Sequence, residues 1–287
     1  MLTRIQKILF SCCALLCATL LAIAAKWDLS IANFLYQPES SFGIVMEAFC
    51  YWPIKLPWIL LGAVLAALYK DQPLLRIPFE FFVLWYLKQI TVSSVENLVF
   101  RGLLGEVNST FLMIGIVFCA VLMLAGASKL STRTLLRLRF VAIFGIVYKT
   151  IEVFLVDRVK LFWLRTRYDD LFAAGDFSDF TPWYQIAGHP GNTSFPSGHA
   201  ANACGILLLL LLPILFCGLK KHRGLFSGIC IAYIGFSCLS RLVIGRHFLS
   251  DTIVGVLISC TVFFVLLSLP FVKKQLQQLS CEPGTSP

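Results

Sequence analysis

Apolar runs that approach or reach membrane-span length recur along this chain, and no other feature constrains its fold as strongly. A helix needs about 20 predominantly apolar residues to cross a bilayer. Eight stretches come near that mark: 8–25, 54–69, 77–95, 111–127, 140–156, 200–219, 225–239 and 248–269. Only 14% of the residues are charged and 58% are hydrophobic, where soluble domains average about 25% and 45–50%. The expected architecture is an all-α, polytopic transmembrane helical bundle of about eight spans, with six to eight as its bounds. The least secure stretch is 77–95, because Glu80, Lys88 and Glu96 are costly beside lipid; an interfacial or re-entrant helix is the alternative there. The chain divides into an N-terminal transmembrane region of four spans (1–139), a core carrying the motifs below (140–272) and a polar cytoplasmic tail (273–287).

Charge agrees with that layout. With eight spans and an inner N-terminus, the inner segments hold more Lys and Arg than the outer ones, as the positive-inside rule requires. The strongest inner marker runs from Ser128 to Arg139, with Lys129, Arg133, Arg137 and Arg139 and no acid. The formal net charge of +9 is therefore mainly loop charge, and no nucleic-acid module accompanies it. Of the 11 cysteines, only Cys50 and Cys281 lie outside apolar runs. Buried small hydrophobes are expected rather than a disulfide framework. Leu9-Phe10-Ser11-Cys12 resembles a lipobox with too little apolar sequence before it, and Ala22-Ile23-Ala24 resembles a signal-peptidase site. An uncleaved first span is expected, because the later spans need the same inner N-terminus.

Three polar constellations interrupt the apolar background. In the first, Lys160 and Arg167 are separated by six residues just after the fifth span. Interfacial snorkelling of Lys160, Arg165 and Arg167, or salt bridges to nearby aspartates, would explain it without function. The second, Phe195-Pro196-Ser197-Gly198-His199, opens an almost purely apolar helix. Free N–H groups at a helix start favour an anion. Pro196 suits a helix start, Ser197 offers a hydroxyl or a cap, Gly198 lets a ligand approach the backbone, and His199 can move a proton. The third is Ser240-Arg241, then five residues, then His247, then three more residues before Asp251. His247 and Asp251 stand at i and i+4, a spacing that one helical face can carry, with the carboxylate leaning back toward the imidazole. A carboxylate on one ring nitrogen fixes the tautomer and leaves the other nitrogen free to attack. Arg241 supplies a planar fork for phosphate oxygens. An interfacial Arg–Asp pair beside a bystander histidine would be the functionless account.

Topology couples the three. The fifth span delivers the first motif to the outer surface, the sixth begins there with the second, and the seventh ends there at the third. Two histidines, three cations and a helix start thus meet at one membrane face. In that order and spacing the motifs resemble the three-part signature of the type 2 phosphatidic-acid phosphatase superfamily, which also includes glucose-6-phosphatase and vanadium haloperoxidases. The resemblance covers about Lys160 to Asp251 with the framing spans. It departs at Tyr168, where the family usually has proline after the arginine, and the four spans before Phe140 exceed what common six-span members place there.

The resemblance implies catalytic residues His247 (nucleophile, forming a phosphohistidine), Asp251 (orienting it) and His199 (protonating the leaving oxygen, then helping to activate water). It implies that Lys160, Arg167, Ser197, the Gly198 N–H and Arg241 hold the phosphate. Phosphoryl transfer rests on positioning and electrostatic stabilisation, and three cations can replace a metal, so no cofactor and no metal are expected. A site at an interface implies a lipid phosphate or diphosphate in the bilayer as substrate: undecaprenyl diphosphate, phosphatidylglycerol phosphate, phosphatidic acid and lipid A phosphates are candidates. The implied location is a multi-pass position in the inner or plasma membrane, with the site facing the periplasm or exterior. A lipid phosphotransferase using the same histidine, and a non-enzymatic transporter or scaffold, remain as alternatives. Phe162, Trp163, Trp183, Tyr184 and Phe195 are either access-lining or merely interfacial aromatics, His189 is a loop histidine or a substrate contact, and Asn108 and Asn192 head glycosylation sequons.

Overall fold

The computed structural model describes residues 4–186 and 189–280, with side chains from residue 15 onward. Among the described residues every regular element is helical. In chain order these are α1 (Arg4–Leu35), α2 (Ser41–Ala48), α3 (Trp52–Leu68), α4 (Pro73–Phe100), α5 (Ser109–Ser128), α6 (Thr132–Trp163), α7 (Tyr168–Ala174), α8 (Gly198–Ala203), α9 (Leu212–Leu215), α10 (Arg223–Val243), α11 (Leu249–Ser268) and α12 (Pro270–Leu279), with 3₁₀ turns on either side of α9. Six segments are long and apolar enough to cross a membrane: Leu15–Leu35, Ser41–Leu68, Ser109–Ser128, Gly198–Leu215, Cys217–Val243 and Leu249–Ser268. The protein is a multi-pass, all-α membrane bundle.

Two more helices have the length but a higher charge. At about 1.5 Å per residue, the 28-residue α4 extends roughly 42 Å and the 32-residue α6 roughly 48 Å. α4 is unbroken over 77–95 and runs antiparallel along all of α3: Tyr69 stacks on Phe79 at one end, and Trp52 donates to Ser94 Oγ at the other. Of its charges, Arg76 pairs with Glu80 in the first turns, and Lys88 and Glu96 lie on an exposed face. In α6 the two mid-helix charges, Lys149 and Glu152, pair with each other and are fully buried.

Lipid is as apolar as leucine, so helices in a bilayer associate through close packing rather than expulsion of apolar surface from water. Small residues mark the tightest crossings. A methyl group on Gly62 would come within 2.8 Å of Val83 of α4, and one on Gly145 of α6 would meet Pro57 of α3 at 3.0 Å. One cluster joins α3, α4 and α5 around Ile59, Ala63, Val83 and Ala120. A second joins α6 and the α8–α12 segments around Phe144, Tyr148, Leu211 and Phe263.

Several helix boundaries differ from the sequence expectation. The first helix continues beyond Ala25 to Leu35, because Asp28 is neutralised inside the protein instead of ending the span. The basic stretch 132–139 forms the first turns of α6 rather than a loop. The polar tail begins as a helix: α12 buries Val272, and Arg137 Nε donates to the Leu279 carbonyl at 2.8 Å. Cys50, Cys119, Cys204, Cys230, Cys238 and Cys260 are free, but Cys217 is disulfide-bonded. The reading of all cysteines as small hydrophobes therefore fails at Cys217. The expectations for the Leu9–Cys12 side chains, for Cys281 and for the tail beyond residue 280 lie outside the described residues.

Candidate active site

The bend between α10 and α11 carries the third motif. Gly245 holds a positive φ of 72°, and a Cβ there would sit 2.5 Å from the Tyr36 ring, so only glycine fits this turn. His247 follows in the bend, before the helix. The expected shared helical face is therefore absent, and capping geometry brings the pair together instead. Asp251, the third residue of α11, reaches back so that the Phe248 N–H donates to Oδ2 at 2.9 Å, half of a capping box. That carboxylate comes to rest 3.6 Å from His247 Nδ1. The hydrogen bond from Nδ1 goes elsewhere, to the Ser194 carbonyl at 2.7 Å. A carbonyl only accepts, so Nδ1 carries the proton and Nε2 presents its lone pair. Ser194 Oγ in turn donates to Asp251 Oδ2 at 2.6 Å. Burial pushes the His247 pKa below its ordinary value, against the pull of Asp251 and with the help of Lys160 and Arg241.

Behind this pair lies a charge network that the sequence did not announce. Arg165 is completely buried. Its Nη1 binds Asp251 Oδ1 at 2.6 Å and Ser250 Oγ at 2.8 Å, and its Nη2 binds Asp28 of α1 at 3.0 Å. The guanidinium also lies 4.2 Å from the Phe248 ring centre. Asp28 is bonded by the Ser250 N–H at 3.1 Å and by the Ser250 hydroxyl. Snorkelling fails as an account of Arg165, which points inward. Leu164 just before it adopts a left-handed φ of 53°, which turns the chain from the end of α6 into the bundle.

The other three cations surround the pair in two different states. Lys160 has no ion-pair partner among the described residues, and a Cβ on Gly198 would lie 3.3 Å from its Nζ. Arg167 donates from Nη2 to Thr193 Oγ1 at 3.0 Å, while its buried Nε has no partner. Arg241 is already held, by the Gly43 carbonyl at 3.1 Å and by Glu47 Oε1 at 3.4 Å. Glu47 also pairs with Arg101 at 2.7 Å. Tyr168, the departure from the family pattern, is the first residue of α7, and Arg167 before it is extended at φ −79°, ψ 155°. Proline suits that first helical position and forces its predecessor to be extended. Tyrosine therefore leaves the arginine's backbone as proline would. Its ring fills the space beside Tyr36 and Phe248, and its hydroxyl donates to Asn33 Oδ1 at 2.7 Å.

The second motif closes the site. Ser197 is the N-cap of α8: its Oγ accepts from the Ala200 N–H at 3.2 Å, and its own N–H donates to the Asp251 carbonyl at 2.9 Å. Gly255 allows this contact, since a Cβ there would collide with the Ser197 carbonyl. The helix after His199 is not the plain α-helix expected from its apolar run. Lys149 Nζ takes the Ala201 carbonyl at 3.0 Å together with Ser259 Oγ at 3.1 Å, and Tyr148 Oη takes the Cys204 carbonyl at 3.3 Å. Losing those carbonyls from the regular ladder tightens Cys204–Leu211 into 3₁₀ turns. The His199 and His247 ring centres lie 6.3 Å apart, and Tyr51 packs 5.7 Å from His199 on the other side.

All eight sequence-selected positions thus gather at one end of the bundle. The family model of the PAP2 superfamily matches residues 134–275, a stretch that holds all of them. Over those residues the chain belongs to the PAP2 superfamily. No curated protein and no solved structure matches it. The match gives this chain a phosphatase-type fold. Asp28, Gly43, Glu47 and Arg101 lie outside the PAP2 match, so α1, α2 and the loop after α4 complete a site whose motifs lie elsewhere.

Most of the remaining candidates are structural. Phe195 is buried against Trp163 with ring centres 4.7 Å apart. Trp163 Nε1 donates to the Trp183 carbonyl, and Trp183 Nε1 to the Leu21 carbonyl, which fastens the long loop to α1. Phe162 and Tyr184 are exposed. His189 is exposed too and sits 3.6 Å from Asp179. Asn192 donates to Thr166 Oγ1, and Asn108 caps α5. Among the described residues no three His, Cys, Asp or Glu side chains group as metal ligands would.

Proposed function

We propose that this protein is a membrane phosphohydrolase that removes a phosphate from a lipid phosphate or diphosphate. The observation that carries this reading is the Nδ1 hydrogen bond of His247 to a backbone carbonyl, which leaves Nε2 nucleophilic amid Lys160, Arg167 and Arg241. Nε2 attacks phosphorus, a phosphohistidine forms, and the P–O bond to the lipid breaks. His199 donates a proton to the departing oxygen. It then accepts one from the water that cleaves the P–N bond and releases inorganic phosphate. Lys160, Arg167, Arg241, the Ser197 hydroxyl and the Gly198 N–H hold the phosphate oxygens and stabilise the added charge of the transition state. Three cations perform what a metal ion would, so turnover is metal-independent. The site faces the periplasm or exterior: the basic residues of early α6 and of the 220–223 loop lie at the opposite, inner end. We keep the division into 1–139, 140–272 and 273–287 as part of this proposal, with α1 and α2 of the N-terminal region contributing to the core's polar network.

The test is phosphate release from a panel of lipid phosphates and diphosphates, with and without a chelator. Chelator-resistant release from at least one of them is expected. Loss of release on chelation overturns metal independence, and labelled phosphate appearing in a second lipid would make the protein a phosphotransferase. The pH profile provides a second test. A nucleophilic His247 must be unprotonated, and burial lowers its pKa, so the acid limb of kcat/KM lies below the ordinary histidine value of about 6.5. Lys160 contributes to that lowering. Lys160→Gln therefore moves the acid limb to higher pH on the same substrate, and a limb that stays in place removes His247 as the titrating group.

A further inference from the structure

The substrate's leaving group, in the reading above, departs beside His199, and a cleft that the reaction does not use shares one wall residue with that side of the site. Tyr51, whose ring centre is 5.7 Å from that of His199, also lines a cleft of about 450 Å³ between α3 and α4. One turn further along α3, Lys55 lines it too; from α4 come Trp85, Lys88, Gln89 and Glu96, whose spacing puts them on one stripe of that helix.

The depth of these lysines needs an explanation. Trp52 of α3 meets Ser94 of α4 beside Tyr51, so at about 1.5 Å per residue Lys55 lies about 5 Å and Lys88 about 9 Å farther into the bundle than that contact. Among the described residues neither Lys55 nor Lys88 has an ion-pair partner. Lys55 is steadied only by the Tyr86 ring, 5.3 Å away. Glu96, the one acid of the stripe, is eight residues from Lys88, about 12 Å along the axis, and stands toward the catalytic end. Unpaired ammonium groups one to two turns inward of the catalytic histidine mark a path or site for a ligand that brings the opposite charge.

We propose that this cleft holds a second anionic group of the substrate lipid, on the leaving-group side of the scissile bond, with Lys55 and Lys88 as its counter-charges and Tyr51 at the junction. The preferred substrate class is then a lipid whose head group bears an additional phosphate or carboxylate. This rests on the phosphohydrolase reading and goes beyond it, because both lysines lie outside the matched family region.

The experiment compares phosphatidylglycerol phosphate, which retains a phosphodiester after cleavage, with phosphatidic acid, which retains none. Wild-type protein, Lys55→Gln, Lys88→Gln and the double variant are assayed in mixed micelles. For phosphatidylglycerol phosphate each single change raises KM about tenfold and the double change more, with kcat held, the pattern of lost uniform binding; phosphatidic acid stays within about twofold. Equal losses on both lipids, or none, overturn the proposal. Binding is measured in parallel on His247→Ala protein by native mass spectrometry, so a wild type inactive on both lipids would sink the hydrolase reading without deciding the cleft. There, preferential retention of phosphatidylglycerol phosphate over phosphatidic acid disappears in the double lysine variant. If phosphatidylglycerol itself binds as tightly as its phosphate, the cleft is a general anionic-lipid site and the proposal fails.

Discussion

Replacing His247 by alanine removes phosphate release, by at least about 10⁴-fold for loss of a covalent nucleophile, while the purified protein keeps its elution profile in detergent. The substitution leaves the surrounding network intact. Asp251 retains Arg165, the Ser194 hydroxyl and the Phe248 N–H, so the N-terminus of α11 stays capped. The one acceptor left without its donor is the Ser194 carbonyl, a cost of about 1–3 kcal/mol that a bundle of this size tolerates. Brief incubation with labelled lipid phosphate, followed by denaturation, labels wild-type protein with alkali-stable, acid-labile phosphate and leaves His247→Ala unlabelled. A variant that still turns over at near-normal rate, or that still takes the label, removes His247 as the nucleophile.

The parts of this site legible in the sequence were those whose identity and spacing are themselves the signal. Lys160 with Arg167, Pro196 to His199, and Arg241 with His247 and Asp251 are local strings, and topology alone brings their three helix ends to one surface. What stayed hidden depends on contacts between distant segments. Arg165 sits within the first motif and reads as interfacial until Asp28, 137 residues away, is seen to meet it. Glu47 meets Arg241 across 194 residues. The hydrogen bond that sets the His247 tautomer comes from a backbone carbonyl, which no residue type announces. The same physics explains the helix ends. The first apolar run breaks off before Lys26 and Asp28, yet a charge neutralised inside the bundle, as Asp28 is, does not end a helix, so α1 continues to Leu35. The expected i, i+4 face for His247 and Asp251 was right about proximity and wrong about its cause, because Gly245 turns the chain before the helix begins and the carboxylate acts as a cap.

The second large effect falls on Arg165. Arg165→Met leaves Asp28 and Asp251 facing each other with no cation between them, and breaking a buried pair on one side costs about 3–5 kcal/mol. The melting temperature in detergent drops accordingly. The functional consequence is separate: Asp251 loses the bond that fixes its Oδ1, and with it the Ser194 segment that orients His247 loses its anchor. In the protein that remains folded, kcat falls about 10²-fold, of the order seen when an outer partner of a catalytic group is removed, and KM barely changes because Arg165 touches no substrate. Arg165→Lys restores one of the two ion pairs and part of the rate. Asp28→Asn supplies the milder control, since an amide still accepts from Ser250 while Arg165 keeps Asp251; it should retain more stability than Arg165→Met and lose less kcat. Single-turnover labelling of His247 separates the two roles. A variant that is merely less stable labels at the wild-type rate once corrected for its folded fraction, and that result would reduce Arg165 to a structural residue; slow labelling at unchanged KM makes it the residue through which α1 positions the nucleophile.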